Sequence, residues 1–174
     1  MTVPTLETER LILRPLSIDD LEHIFIRWAS DPRVNKYMIY PLWKSPEDGR
    51  EWIEGLYKKK DQLDFGFVWK ESGELIGSGG LYYNEKRGLW TLGYNLAYDY
   101  WSKGLVTEAM TKIIEWAREN FEVKEISGTF AIGNIGSQRV MEKLGMTYYE
   151  DTEYSKLDDS ETFKAKTFHI VFKE

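Results

Sequence analysis

Two segments of the sequence combine residue types and spacings suited to chemistry. The first is Trp101-Ser102-Lys103-Gly104-Leu105-Val106-Thr107-Glu108-Ala109, which reads as a turn leaving a strand and opening a long helix. The leading amides of a helix have no internal partners and lie at the positive end of its dipole. They form a ready anion site, and Gly104 lets a phosphate approach the backbone closely. A pyrophosphate fits this description, as does an ordinary strand-to-helix turn, and the segment alone leaves both readings open. It carries neither the Gly-x-x-x-x-Gly-Lys-Ser/Thr spacing of a Walker loop nor the Gly-x-Gly-x-x-Gly of a dinucleotide turn. The second segment, Asn134-Ile135-Gly136-Ser137-Gln138-Arg139-Val140-Met141-Glu142-Lys143-Leu144-Gly145-Met146, again leads from a strand into a helix. Asn134 suits the capping position and Ser137 falls three residues on, so both side chains stand at one helix end, either as cap and surface hydroxyl or as two contacts to one ligand.

Elements that position these segments follow from periodicity. Residues 11–13 read as a strand stopped by Pro15, and Ser17, Asp19 and Asp20 open a helix reaching about Ala29. A second helix starts near Ser45 with Pro46 in its first turn and Trp52, Ile53, Leu56 and Tyr57 on one stripe. Strands are expected at 65–69, 75–83 and 89–97, joined by turns as an antiparallel meander. Helical spacing returns at 103–119, where Val106, Ala109, Met110, Ile113, Ile114 and Ala117 share a face. A buried strand at 125–131, a helix at 134–144 closed by Gly145, and strands at 147–154 and 163–172 complete the chain. No repeat, low-complexity tract or linker divides it, so one domain over residues 1–174 is expected.

Composition narrows the function. Apolar residues make up 42% and aromatics 15% of the 174 residues, enough to build a core, while a formal charge of −6 argues against non-specific nucleic-acid or anionic-membrane binding. The absence of cysteine excludes a disulfide framework, a thiol nucleophile and a thiolate metal site. His23 and His169 are the two histidines, far apart and without ligand spacing, so no metal is expected. Neither a signal-peptide pattern at residues 1–10 nor an apolar run of membrane-spanning length is present, and the cytoplasm is the expected location.

Taken together, the two helix-opening segments resemble motifs A and B of the GNAT superfamily of N-acetyltransferases. Tyr100-Trp101-Ser102-Lys103-Gly104-Leu105-Val106-Thr107-Glu108-Ala109 is most similar to the Rim-type branch, which acts on ribosomal proteins. Thr8-Glu9-Arg10-Leu11-Ile12-Leu13-Arg14 and Leu92-Gly93-Tyr94-Asn95-Leu96 add to the likeness, which spans about residues 8–172. It implies an α/β fold, a splayed mixed sheet of about seven strands flanked by about four helices. A bulge on the fourth strand is expected to expose the backbone of Asn95, Leu96 and Ala97 to the pantetheine arm of acetyl-CoA, used as co-substrate. Carried over by position, the amides of Ser102, Lys103, Gly104, Leu105, Val106 and Thr107 resemble the pyrophosphate loop and Asn134 a pantetheine contact. Arg139 and Lys143 are neighbours of the nucleotide end, and Ser137 matches a serine that protonates the departing thiolate. The chain departs from the pattern at Ser102, where glycine is frequent, at Val106, where alanine is, and at Thr91, where a glutamate is common. The last departure leaves any base on the fourth strand in doubt.

The implied chemistry is direct attack of a neutral amine on the thioester, with backbone amides near Asn95 and Leu96 stabilising the oxyanion and positioning supplying most of the acceleration. The acceptor is a protein N-terminus or a small-molecule amine, and the protein a monomer or homodimer. Glu85, Glu150 and Glu153 are candidate bases, each also readable as a solvated surface acid. The aromatic set Trp28, Tyr37, Tyr40 and Trp43 suits either an acceptor pocket or the core. Two other classes remain: an acyl-CoA-binding regulatory module without transferase activity, and a pure interaction domain.

Overall fold

A computed structural model describes residues 2–173. Eight strands form one sheet in the order β1-β2-β3-β4-β5-β6-β8-β7: β1 (Leu6–Glu7), β2 (Leu11–Arg14), β3 (Gln62–Trp69), β4 (Glu74–Asn84), β5 (Leu89–Leu96), β6 (Glu125–Ala131), β7 (Thr147–Ser155) and β8 (Thr162–Val171). Every neighbouring pair is antiparallel except β5 with β6. The helices are α1 (Leu21–Ile24), α2 (Pro32–Asn35), α3 (Arg50–Gly55), α4 (Leu105–Asn120) and α5 (Ile135–Lys143). A 3-10 turn at Ile18–Asp20 leads into α1, which continues as a π-helical stretch over Phe25–Ala29; another turn at Pro46–Gly49 leads into α3.

The expected mixed sheet is present with eight strands rather than about seven and five helices rather than about four. The additional strand β1 and helix α2 are only two and four residues long, too short to display a period in sequence.

Alternation along the strands separates the two faces. Leu63, Phe65 and Phe67 of β3 pack with Leu105, Ala109, Met110 and Ile113 of α4 in the larger core. On the opposite face Val68 packs with Leu21, Ile24 and Trp28 of the α1 region and Ile53 of α3. Helix α4 is anchored at its first turn by Glu108, whose Oε1 accepts from the Thr8 hydroxyl at 2.7 Å and the Arg10 N–H at 2.9 Å, while Oε2 accepts from Arg10 Nε at 2.7 Å. Thr8-Glu9-Arg10 and Glu108 thus belong to one contact that pins the start of α4 to the beginning of β2.

Burial by itself raises the Glu108 carboxyl, but the bonds from Thr8 and Arg10 outweigh it and hold the group below its ordinary value. A depressed acid contributes stability that is present above its unfolded value, near 4.3, and lost as pH falls through the folded one. Glu108→Gln is therefore expected to cost about 1–3 kcal/mol at neutral pH, with the gap in melting temperature to the parent closing as the pH drops below about 4. Parallel thermal melts from neutral to acid pH check this, and a gap that stays constant into acid contradicts it.

Candidate active site

The sheet opens where its single parallel pair gives out. β5 and β6 are paired only at Trp90 with Ile126 and Thr91 with Ser127. Beyond that point β5 stays on β4 as far as Leu96 and β6 stays on β8 as far as Ala131. The wedge between them belongs to a cleft of about 1850 Å³ bordered by the starts of α4 and α5, the sheet face under α1 and α3, and the aromatic segment that follows α2.

Backbone direction at the opening follows from the ladder. The Ala97 N–H donates to Ile76 O on β4 at 2.7 Å, and alternate residues of an antiparallel strand share a direction. Asn95 therefore also turns its amide to β4, while Tyr94 and Leu96 turn theirs away, into the wedge. The Leu96 carbonyl accepts from Trp101 Nε1 at 2.8 Å, so its N–H is the group left for a ligand. Two expectations are corrected here. The register of β5 on β4 runs unbroken from Leu89 to Leu96, and the sheet's irregularities lie instead between Phe67 and Val68 and between Tyr148 and Glu150. Divergence of β6, rather than a bulge, frees the edge. Ala97 is buried with its amide engaged and lies outside the cleft lining, because the chain has already turned under the α1 helix there.

Helix α4 begins as the turn chemistry requires. Gly104 adopts φ 75°, a left-handed conformation that glycine takes without strain, and no side chain caps the helix. The first intrahelical bond runs from the Glu108 N–H to Gly104 O, which leaves the Leu105, Val106 and Thr107 amides free of intrahelical partners at the dipole's positive end. Ser102 also lies at positive φ, 61°, the conformation a glycine there would hold without cost. Ser102, Lys103, Gly104, Leu105, Val106 and Thr107 all line the cleft.

At the start of α5, the Asn134 side chain accepts from the Ser137 N–H at 3.3 Å, fulfilling the capping role and leaving its amide hydrogens available. Ser137 Oγ lies 2.7 Å from the Tyr94 hydroxyl, which also donates to the Ser137 carbonyl at 3.2 Å. Burial pushes Tyr94 up to about 12, partly offset by the Ser137 bond, so it is a neutral donor at physiological pH. Arg139 and Lys143 stand one turn apart on the exposed, cleft-lining side of α5.

The candidate bases are not brought together. Glu85 sits in the exposed turn after β4, and Glu150 pairs with Arg87 at 2.8 Å; neither lines the cleft, whereas exposed Glu153 does. All four residues of the aromatic set border the cleft, Trp28 from within the core at 1% exposure and Tyr37, Tyr40 and Trp43 as half-buried walls. Tyr40 is held by Asn95 Nδ2 at 3.2 Å, and Asn95 Oδ1 accepts from Ser78 at 3.3 Å. This occupies the Asn95 side chain in supporting the wall. The wall is further tied to the β7–β8 hairpin, where Lys156 Nζ donates to Asn35 O at 3.0 Å and Met38 O at 2.7 Å. Both histidines have structural partners: His23 meets Leu75 O and His169 meets Glu125, each at 2.7 Å. Among the described residues no group of three or more His, Asp or Glu is placed to hold a metal ion, and no helix is long and apolar enough to cross a membrane.

Residues 10–147 match the family model described as an acetyltransferase (GNAT) domain. The chain belongs to the GNAT acetyltransferase family. GNAT relatives include an uncharacterized N-acetyltransferase p20 of Bacillus licheniformis, 29% identical with 80% of each chain covered. YoaA of Bacillus subtilis, another uncharacterized N-acetyltransferase, is 28% identical with 82% of each covered. A GNAT-family acetyltransferase from Bacillus anthracis shares the fold at a TM-score of 0.83 and 22% identity, covering 97% of this chain and 98% of that one. The microcin C7 self-immunity acetyltransferase MccE, solved with acetyl-CoA and AMP, superimposes at a TM-score of 0.81 with 16% identity and coverage of 95% and 94%.

Sequence reasoning passed over Tyr94 as a partner of Ser137 and Asp64 as a wall of the cleft. The first was visible only as part of the Leu92-Gly93-Tyr94-Asn95-Leu96 motif. The second carried no signal beyond being an acid in a strand otherwise apolar from Leu63 to Trp69.

Proposed function

We propose that this GNAT protein transfers the acetyl group of acetyl-CoA to a primary amine by direct attack within a ternary complex. The observation that carries the reading is the wedge between β5 and β6, bordered on one side by the free amides of α4 and on the other by Asn134 and Ser137 at the start of α5. In this reading the pyrophosphate rests on the amides of residues 102–107, with Arg139 and Lys143 toward the nucleotide. The pantetheine lies along β5 and bonds Asn134. The thioester oxygen meets the Leu96 N–H, which replaces the more general expectation of amides near Asn95 and Leu96, because the Asn95 amide is committed to β4.

The two sides of the wedge then divide the work. As the amine nitrogen bonds to the carbonyl carbon and the C–S bond breaks, the electron pair leaves with sulfur toward the α5 side. There Ser137 Oγ–H, held 2.7 Å from the Tyr94 hydroxyl, donates a proton to the sulfur, while the surplus proton of the amine nitrogen leaves to solvent, from which Ser137 is reprotonated once the thiol departs. Resemblance to the Rim-type branch rests on the motifs around Gly104 and on similarity, at a TM-score of 0.82 and 20% identity, to a candidate ribosomal-protein-serine acetyltransferase of Vibrio cholerae. The acceptor in this reading is a primary amine, either a protein N-terminus or a small-molecule amine, and this likeness supports the protein N-terminus.

Acetyl-CoA is expected to raise the melting temperature of the protein, by an amount that grows with concentration above Kd. Asn134→Ala is expected to reduce that shift while costing about 1 kcal/mol of intrinsic stability through the lost cap. A thermal-shift series with acetyl-CoA, CoA and ATP tests both points. No response to either thioester or thiol removes the reading, and binding without thiol release on any amine replaces it with a regulatory acyl-CoA module.

A further inference from the structure

The stretch of chain between α2 and the turn at Pro46–Gly49, residues 36–44, belongs to no helix or strand, yet it forms one wall of the cleft. Two contacts show how this strap lies over the sheet. Gly66 of β3 faces Leu16 and Leu75 of the α1-side core, Ser78 is its partner on β4, and Asn95 is the partner of Ser78 on β5. Paired residues share a face, so the Asn95 side chain stands on the α1–α3 side of the sheet, next in sequence to the free Leu96 N–H. There Asn95 Nδ2 donates to the Tyr40 hydroxyl at 3.2 Å. At the other margin of the wedge, past the end of β6, the Tyr37 hydroxyl oxygen lies 3.4 Å from where a Cβ on Gly133 would stand. With Tyr40 on β5 and Tyr37 on the loop into α5, the strap roofs the wedge on the face opposite Ser137.

The β7–β8 hairpin holds this roof. Lys156, 8% exposed, gives its three N–H groups to Asn35 O at 3.0 Å, Asn35 Oδ1 at 3.3 Å and Met38 O at 2.7 Å. Among the described residues it meets no carboxylate directly, and Asp158 and Glu161 attract it only from a distance. Asn35 Nδ2 donates onward to Tyr40 O at 2.8 Å, so a chain of bonds runs from Lys156 through Asn35 and Tyr40 to Asn95, beside the thioester site. The Tyr154 hydroxyl donates to Tyr37 O and the Leu157 N–H to Ile39 O, each at 2.7 Å. Toward α1 the strap is tied by the Trp43 N–H to Ala29 O at 3.1 Å. Taking an ammonium out of water is costly unless all its donors are met. Here every donor is spent on the strap and the helix end that leads into it.

Resting on the transferase reading above, we infer that Lys156 is a positioning residue for acetyl transfer: it fixes the strap so that Tyr37 and Tyr40 cover the wedge, orient the acceptor amine against the thioester carbon and keep water from it. The side chain itself touches neither substrate nor cofactor and acts through Asn35 and Tyr40. Alignment of two reactants is the main source of acceleration in a direct transfer, and a misplacement of about 1 Å costs about 10²-fold. Without Lys156 the strap stays tethered at α2 and Trp43 but loses the bonds that set Tyr40 over Asn95. A loosened roof has a second consequence, because closure is what keeps water from a reactive thioester. Water then adds to the acetyl carbon as the C–S bond breaks, giving acetate and the free thiol of CoA with no amine present.

The test exploits the absence of cysteine from the chain. Lys156→Cys carries a unique thiol, which is alkylated with 2-bromoethylamine in denaturant and the protein refolded, restoring an ammonium on a side chain of nearly the same length; the parent taken through the same steps is the control. The whole protein is assayed with acetyl-CoA and the probes butylamine and glycinamide. Lys156→Cys is expected to bind acetyl-CoA as the parent does, to lower kcat/KM for both amines about 10²-fold, and to release more thiol in the absence of amine. Aminoethylation is expected to bring both rates back to within about threefold of the control. Amide exchange in Lys156→Cys is expected to quicken at Met38, Trp43 and Leu157, whose N–H bonds are made by the strap or to it, and to stay unchanged through β5 and α4. A parent-like kcat/KM, a loss that aminoethylation does not repair, or a loss matched by weaker acetyl-CoA binding and faster exchange throughout the sheet overturns the assignment. Tyr154→Phe keeps Lys156 but frees Tyr37 O, and covers the case in which Lys156→Cys does not fold. It is expected to lower kcat/KM about 2- to 10-fold with a rise in amine-free thiol release, and no change in either overturns the assignment. Parent protein that binds acetyl-CoA yet releases no thiol with either amine overturns the transferase reading instead, and exchange at Met38 and Leu157 then decides whether Lys156 holds the strap.

Discussion

Ser137→Ala is expected to lower kcat by about 10–10⁴-fold while leaving acetyl-CoA affinity and melting temperature close to those of the parent. The expectation rests on the position of Oγ at the start of α5, 2.7 Å from the Tyr94 hydroxyl, where a departing thiolate would emerge on the face opposite the amine. A hydroxyl that only binds cofactor gives the other pattern, a raised KM at nearly constant kcat. Removal of the Tyr94 hydroxyl supplies a graded comparison: Tyr94→Phe keeps the ring but leaves Ser137 without its neighbour, and a lost neutral hydrogen bond corresponds to about a 2- to 10-fold effect on kcat. Single-turnover measurements must first establish that chemistry limits the rate. If kcat of Ser137→Ala then stays within about twofold of the parent, Ser137 is not the acid.

The second large effect concerns the anion loop. Gly104→Val is expected to weaken CoA binding by tenfold or more: the free loop relaxes away from the left-handed φ of 75° that costs a β-branched residue about 1–2 kcal/mol, binding must restore it, and about 1.4 kcal/mol is a factor of ten in affinity. The protein leaves room for the added atom, the nearest neighbour of a Cβ being Arg10 at 3.8 Å. Strain and obstruction of the bound phosphate therefore carry the effect, rather than a clash within the fold. Acetylpantetheine, which lacks the pyrophosphate, should bind both proteins alike once the strain is allowed for. Ser102→Gly is the opposite change, relieving a left-handed residue and predicted to preserve or improve CoA binding. Calorimetric titration of the two variants with CoA and acetylpantetheine decides the matter, and unchanged CoA affinity in Gly104→Val removes the loop from the site.

What the sequence determined by itself was the pair of helix starts. A glycine that must sit at positive φ, an asparagine cap three residues before a serine, and an inward stripe from Ala109 to Ala117 are all written in contiguous residues, and local backbone sterics and capping act over just such distances; the stripe begins at Leu105 rather than at the expected Val106. The strands were legible for the same reason wherever they exceeded a few residues. The two-residue β1 and four-residue α2 lacked a period to read. The fourth-strand bulge was an inference from likeness rather than from local residues, and the ladder from Leu89 to Leu96 does without it. Tertiary structure alone decided which side chains face one another. Tyr94 meets Ser137 across 43 positions of sequence, Glu108 meets Arg10 across 98, and Asp64 looks along Gly80 to Gly93 because three strands share a register. Register is set by the packing of the whole sheet, and a shift of one residue turns Asp64 from the cleft into the core. The wedge itself exists because β5 and β6 part after two paired residues, a property of how two strands diverge that neither strand's residues contain alone.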